Sequence, residues 1–194
     1  MAAPTKAANL KTVIVGSTRK HSASVIFLHG SDSCCMIQSL LASLWCHQET
    51  QVKGYWVGSG RWFKMPSGFH MLNSSSPPHR QGGFSMGGGM AMHLAYRFHH
   101  DAAGVFALSS FLNEDSVVYK VMTSKACLPP LFACQGLRDN LVLSDWSKET
   151  VRQLSDRGAL CEYHTFPKLY HEMNAQELHM LTDWIKKQVP DDGS

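Results

Sequence analysis

Long apolar runs are missing from this sequence. The longest cover only a few residues, far short of the ~20 that a membrane-crossing helix needs. The stretch from Met1 to Leu10 carries Ala and Pro but no apolar core of a secretory signal, so a cytoplasmic address is expected. Charge of one sign is scarce as well. The 18 Lys and Arg against 15 Asp and Glu leave +3 with His neutral, too small and too scattered an excess for an electrostatic nucleic-acid binder. Cysteine is present but never spaced for metal or redox work. Cys34 and Cys35 are adjacent, Cys46, Cys127, Cys134 and Cys161 stand alone, and no Cys-x-x-Cys occurs. Reduced thiols are the expectation. Without a secretory route the acceptor-like Asn73-Ser74-Ser75 has no consequence. The 8 Pro and 15 Gly are ordinary globular usage and exclude a collagen-like or low-complexity chain.

What is present suits one core. With 44% hydrophobic positions over 194 residues, a single domain spanning 1–194 is expected. Thr12 to Val15 is a short β-branched run closed by Gly16-Ser17. Val25-Ile26-Phe27-Leu28, stopped by His29-Gly30, is apolar without alternation, as in a strand buried on both faces. Met36 to Cys46 places Ile37, Leu40, Leu41, Leu44 and Trp45 at helical spacing. From Gln48 to Gln81 the pattern weakens. Tyr55-Trp56-Val57 and Phe69-His70-Met71-Leu72 read as short strands, and Asn73 to Arg80, with its Ser-rich run and Pro77-Pro78, reads as loop.

After Gly83 the pattern sharpens. Met86 to Phe98 reads as a helix with a Gly-rich start, and Gly104 to Leu108 as a buried strand. Leu131 to Cys134 is another strand, entered through Pro129-Pro130. Ser144 to Arg157 reads as a helix with Trp146, Val151 and Leu154 inward and Gly158 as its C-terminal cap. Leu160 to Phe166 alternates enough for a strand. The last helix takes Asn174 as N-cap with Glu177 three residues on, and buries Leu178, Leu181 and Ile185. Strands interleaved with helices in this way imply an α/β sheet with helical crossovers.

Chemistry concentrates at Gly83-Phe84-Ser85-Met86-Gly87, which fits G-x-S-x-G, the nucleophile elbow. The glycines let the chain turn sharply while the serine points outward, and the following helix aims its N-terminal amides at any anion forming there. A serine of ordinary acidity needs a base, and the base needs an orienting acid. In α/β-hydrolases these follow in the order Ser, Asp, His on loops beyond strand ends. Asp139 follows the strand Leu131 to Cys134, and His171 lies between the strand Leu160 to Phe166 and the last helix. Glu114 and Asp115, after Leu108, are rivals for the acid. His164 falls within a strand and His179 within a helix, where neither has a loop's reach. The Met86 amide and the Ser31 amide, the latter after Leu28-His29-Gly30, are candidate oxyanion donors, and losing one such donor typically costs about 2.7–4 kcal/mol. His29 reads as structural. His171-Glu172 has Ala175 where a zinc-protease motif needs its second histidine, and Gly82 to Gly89 lacks the Lys-Ser/Thr ending of a phosphate loop. No metal or cofactor is expected.

At Phe27-Leu28-His29-Gly30-Ser31, Gly83-Phe84-Ser85-Met86-Gly87-Gly88 and Tyr170-His171-Glu172 the chain resembles the acyl-protein thioesterase/lysophospholipase family. The stretch from Gly82 to Asn113 strengthens the likeness, which covers Lys11 to Asp32 and Gly82 to Pro190. The resemblance implies an α/β-hydrolase-like sheet covered by helices, and a serine hydrolase acting on S-acylated proteins or small acyl esters through an acyl-serine intermediate. It implies Ser85, Asp139 and His171 as the triad, with Ser31 and Met86 as oxyanion donors. Three departures stand out. Asp32 directly follows Ser31 where the family has Gly. Gln135-Gly136 precedes the acid loop where members show His-Gly. Residues 34–81 do not match the family and are expected to be poorly ordered, with the sheet truncated or interrupted beside the elbow. The rival expectation is a catalytically impaired variant, either a non-catalytic binding protein with Tyr55, Trp56, Trp62 and Phe63 as its interaction surface or a non-functional splice or gene-model product.

Overall fold

Runs of β-branched and aromatic residues become strands here, and the glycine-rich and amphipathic stretches between them become helices. A computed structural model describes residues 11–15, 23–28, 52–58, 79–122 and 127–187. The strands are β1 (Lys11–Val15), β2 (Ala23–Leu28), β3 (Val52–Gly58), β4 (His79–Phe84), β5 (Gly104–Leu108), β6 (Leu131–Gly136) and β7 (Cys161–Phe166). The helices are α1 (Met86–Phe98), α2 (Val117–Val121), α3 (Ser144–Ser155) and α4 (Ala175–Lys187). All seven strands join one sheet in the order β1-β3-β2-β4-β5-β6-β7. β1 runs antiparallel to β3, and every other neighbouring pair is parallel. The carboxyl ends of β4, β6 and β7 therefore open on the same edge, where α/β sheets carry their sites.

The middle of the sheet is covered on both faces, which explains why β5 and β6 read as apolar runs. Along β5 and β6 the side chains alternate between two cores. Phe106, Leu108, Phe132 and Cys134 pack with Leu178, Leu181, Trp184 and Ile185 of α4. Val105, Ala107, Leu131 and Ala133 pack with Ala91, Met92 and Ala95 of α1 and Leu154 of α3. Small residues on that second face let α1 sit close against the sheet. Asn174 caps α4 as expected, its Oδ1 accepting from the Glu177 N–H at 2.8 Å. Gly158 takes φ +93° just past α3, a conformation that glycine adopts freely.

The sheet is not interrupted beside the elbow. Residues expected to be loop form β4, which pairs with β2 from Ser24↔His79 to Leu28↔Gly83 and with β5 from Arg80↔Gly104 to Phe84↔Leu108. Two ladders outweigh the poor strand propensity of His-Arg-Gln-Gly-Gly-Phe. Its glycines are required by close approach. A Cβ on Gly82 would lie 2.2 Å from the Phe106 ring, and one on Gly83 would lie 2.0 Å from the Leu28 carbonyl oxygen. The described part of 34–81 also includes β3, which lies between β1 and β2. Two smaller corrections concern helices. Trp146 is 44% exposed and rests on Phe111 at 4.9 Å between ring centroids. The buried face of α3 is Ser147, Thr150 and Leu154, with Val151 half-buried against the same core. The short α2 was not anticipated. The expected helix Met36 to Cys46, the expected strand Phe69 to Leu72, and Cys34, Cys35 and Cys46 lie outside the described residues, while Cys127, Cys134 and Cys161 are free thiols.

Candidate active site

β4 delivers Ser85 straight into a strained turn. Ser85 has φ 56° and ψ −126°, a backbone conformation that a non-glycine residue holds only when its surroundings over-determine it. Here the Ser85 N–H donates to the Leu108 carbonyl at 2.9 Å, and the Ser85 carbonyl accepts from the Gly88 N–H at 3.1 Å. A Cβ on Gly88 would come within 2.7 Å of Ser110, so α1 can start this close to the sheet only with glycine there. Ser85 occupies the N-cap of α1, yet its hydroxyl makes no capping bond. That hydroxyl is left for other work.

The acid and base come from two loops fastened to each other. At the end of β6, a Cβ on Gly136 would lie 2.3 Å from the Leu169 carbonyl oxygen, so only glycine lets the loop after β7 cross over it. The Leu137 N–H then donates to the Phe166 carbonyl and the Arg138 N–H to the Leu169 carbonyl, both at 3.0 Å. Asp139 turns back on its own loop, its Oδ1 accepting from the Leu141 and Val142 N–H groups at 2.9 Å each. This is an Asx turn, the structural role that Asp139-Asn140 would suit on its own. The other oxygen, Oδ2, meets Nδ1 of His171 at 2.7 Å.

Nε2 of His171 lies 3.0 Å from the Ser85 hydroxyl. Ionised Asp139 can only accept, so Nδ1 carries the ring proton and Nε2 accepts from Ser85. The Asp139 side chain is fully buried, and that of His171 is 16% exposed. Phe84, the last residue of β4, packs its ring against the imidazole with centroids 4.8 Å apart. Residues 86 and 32 apart in sequence from His171 thus share one hydrogen-bonded line. Such a line can take a proton from the serine as its oxygen attacks an acyl carbon, and return it to a leaving group.

The remaining candidates divide. Met86 supplies the first amide of α1, 56% exposed beside the serine, among the helix-start donors that no intrahelical acceptor uses. Ser31 and His29 lie outside the described residues. Glu114 and Asp115 are exposed and make no bond to His171 among the described residues. His164, on β7, bonds Glu162 at 2.7 Å instead. His179 lies within α4. Among the described residues no cluster of three metal-ligating side chains occurs, and no helix is long and apolar enough to cross a membrane. Two contributors escaped sequence reasoning. The Phe84 ring beneath His171 had no signal beyond its place next to the serine. The Gln135 side chain was visible only as a departure from the family's His-Gly.

Comparisons with known proteins bear on the family and the fold. A family described as phospholipase/carboxylesterase matches residues 81–189. Mouse (Mus musculus) lysophospholipase-like protein 1 is 36% identical, in an alignment covering 98% of this chain and 97% of that one. An acyl-protein thioesterase 1 of Mycosarcoma maydis is 28% identical over 56% of this chain and 47% of its own length. Carboxylesterase SOBER1 of Arabidopsis thaliana is 24% identical over 55% of this chain and 47% of its own length, so the chain spans about half of these two relatives. The crystal structure of Zea mays acyl-protein thioesterase 2 superposes with a TM-score of 0.72 at 17% identity, covering 93% of this chain and 99% of that one. At that identity it speaks for the α/β-hydrolase fold alone.

Proposed function

The chain belongs to the phospholipase/carboxylesterase family, a family of serine hydrolases, and from that premise we propose that Ser85, Asp139 and His171 hydrolyse acyl esters or thioesters through an acyl-serine intermediate. The single observation that supports this most is the line from Ser85 Oγ to His171 Nε2 at 3.0 Å and on from Nδ1 to Asp139 at 2.7 Å. In this reading His171 takes the proton as Ser85 Oγ bonds to the acyl carbon. Asp139 holds the ring in the tautomer that leaves Nε2 free to accept. The carbonyl oxygen becomes an oxyanion, met by the Met86 amide and by the Ser31 amide beyond β2. The intermediate collapses, His171 protonates the departing alcohol or thiol, and a water deprotonated by the same ring clears the acyl group. The scheme calls on no cofactor. S-acylated proteins and small acyl esters are the proposed substrates, within one domain over 1–194 and in a cytoplasmic setting. The free thiols of Cys127, Cys134 and Cys161 support that setting.

A fluorophosphonate probe and a thioester substrate test the reading together. Wild-type protein is expected to label and turn over, and Ser85→Ala to lose both by at least about 1000-fold, the scale of removing a triad member. A soluble, folded wild-type chain that never labels would leave the non-catalytic reading.

A further inference from the structure

Gln135, the next-to-last residue of β6, has its side chain fully buried among acceptors. Its Nε2 lies 2.8 Å from the Val142 carbonyl, 3.1 Å from the Gly136 carbonyl and 3.3 Å from Oδ2 of Asp139. Three acceptors around one end of the amide identify it as the NH2 end, whose two hydrogens serve all three. The other end, Oε1, is buried without a hydrogen-bond partner among the described residues. An orphaned amide oxygen costs stability, and an apolar side chain on the strand end would avoid that cost. What only the amide provides is a bridge, from one end of the acid loop to the other and onto its carboxylate.

We propose that Gln135 is a positioning residue for the base: by donating to the same Asp139 oxygen that receives His171 Nδ1, it fixes where that oxygen points and limits how strongly it holds an imidazolium. The inference rests on the hydrolase reading for its consequence in catalysis, though not for the coupling itself. Each donor on a carboxylate shares its charge. With the amide gone, Oδ2 keeps more charge for the His171 ring, which then retains its second proton to higher pH. The carboxylate also loses its tie to Val142 and swings more freely. Titratable and charged groups on the elements around His171 are Asp139 and Arg138 of the acid loop, Lys168, Tyr170 and Glu172 of its own loop, and Glu177 in the first turn of α4. Only Gln135 joins His171 on Oδ2 among the described residues.

The test is Gln135→Met, which keeps length and bulk and removes both donors. The His171 ring is titrated by NMR in the full chain, with and without the substitution, and kcat and KM are measured on a thioester. The ring midpoint is expected to rise by roughly 0.5–1 pH unit, with kcat falling about 10–100-fold, as for a ~1 Å misplacement, while KM holds. A midpoint that stays put in a folded variant overturns the proposal. Should Gln135→Met not fold, Gln135→Asn, whose amide is one methylene short of Asp139, is read by the same two outcomes. A wild-type chain that refuses fluorophosphonate while its variant shows the shifted midpoint sinks the hydrolase reading and upholds the coupling. A chain that labels at Ser85 with an unmoved midpoint does the reverse.

Discussion

β4 and β6 do similar work with opposite materials. Each is a six-residue parallel strand buried along its whole length, and each hands the chain on to a member of the same hydrogen-bonded line. β6 reads Leu-Phe-Ala-Cys-Gln-Gly, with four apolar side chains divided between the two cores. β4 reads His-Arg-Gln-Gly-Gly-Phe, and Phe84 is its one large apolar residue. The Arg80 guanidinium is fully buried, and none of its three nitrogens has a hydrogen-bond partner among the described residues. His79 Nε2 and Gln81 Oε1 are buried in the same condition, and burial pushes the His79 ring below its ordinary value. β4 is a strand because both its edges are paired, and in spite of its side chains. In β6 the ladder and the side chains agree.

The sharpest way to break the comparison is at backbone contact, where β4 has no room. In Gly83→Ala the new Cβ meets the Leu28 carbonyl oxygen at 2.0 Å, and backbone cannot swing aside as a side chain does. The expected cost is at least about 4 kcal/mol, with loss of probe labelling at Ser85. A variant that unfolds at the wild-type urea concentration and still labels would mean that β4 does not lie against β2 as described. The side chains of β4 predict the opposite sign. Arg80→Leu removes an uncompensated buried charge and should stabilise the fold by about 3 kcal/mol, read as a rise in the urea midpoint at constant slope. A fall in the midpoint would reveal a partner for the guanidinium.

The same contrast explains what could be read in advance. From Gly104 onward, propensity, periodicity and caps point the same way, so β5, β6, β7 and α4 were legible within a residue or two, and with them the loops carrying Asp139 and His171. G-x-S-x-G announced the turn at Ser85. β4 was illegible because its strand character comes from neighbours distant in sequence, which no local pattern encodes. Gly83, which signalled the elbow, also admitted the close contact with Leu28, as its neighbour Gly82 did with Phe106, but nothing in the order His-Arg-Gln announces burial. Trp146 misled for a related reason: on an amphipathic helix a large aromatic outweighs Ser147 and Thr150 in any pattern count, yet those two hydroxyls find partners at half-buried Tyr163 and buried Leu112.

The last expected effect, read as a slope with pH rather than as a single shift, separates two kinds of unpaired burial. Arg80 cannot escape its cost, since a guanidinium held down by burial still has far to fall before it loses its charge at neutral pH. Glu177, in the first turn of α4 beside Cys134 of β6, can. Neither carboxyl oxygen has a well-formed hydrogen bond among the described residues, and burial pushes Glu177 from an ordinary 4.5 up to about 8, the nearby Asn174 N–H and Cys134 thiol opposing that rise only in part. At neutral pH it keeps its proton in the folded chain and gives it up on unfolding. The folded state therefore holds one more proton between about 4.5 and 8, and stability falls across that window by at most about 1.4 kcal/mol per pH unit. Above the window Glu177 adds no further slope. Glu177→Gln keeps the neutral amide at every pH, so the difference in unfolding free energy between variant and wild type should grow from pH 5 to 8 and then level off. Taking the difference cancels the opposite trend from His79. Parallel curves for the two proteins in urea denaturation would mean that Glu177 ionises inside the fold, and that the β6 side of the core bears a buried charge just as the β4 side does.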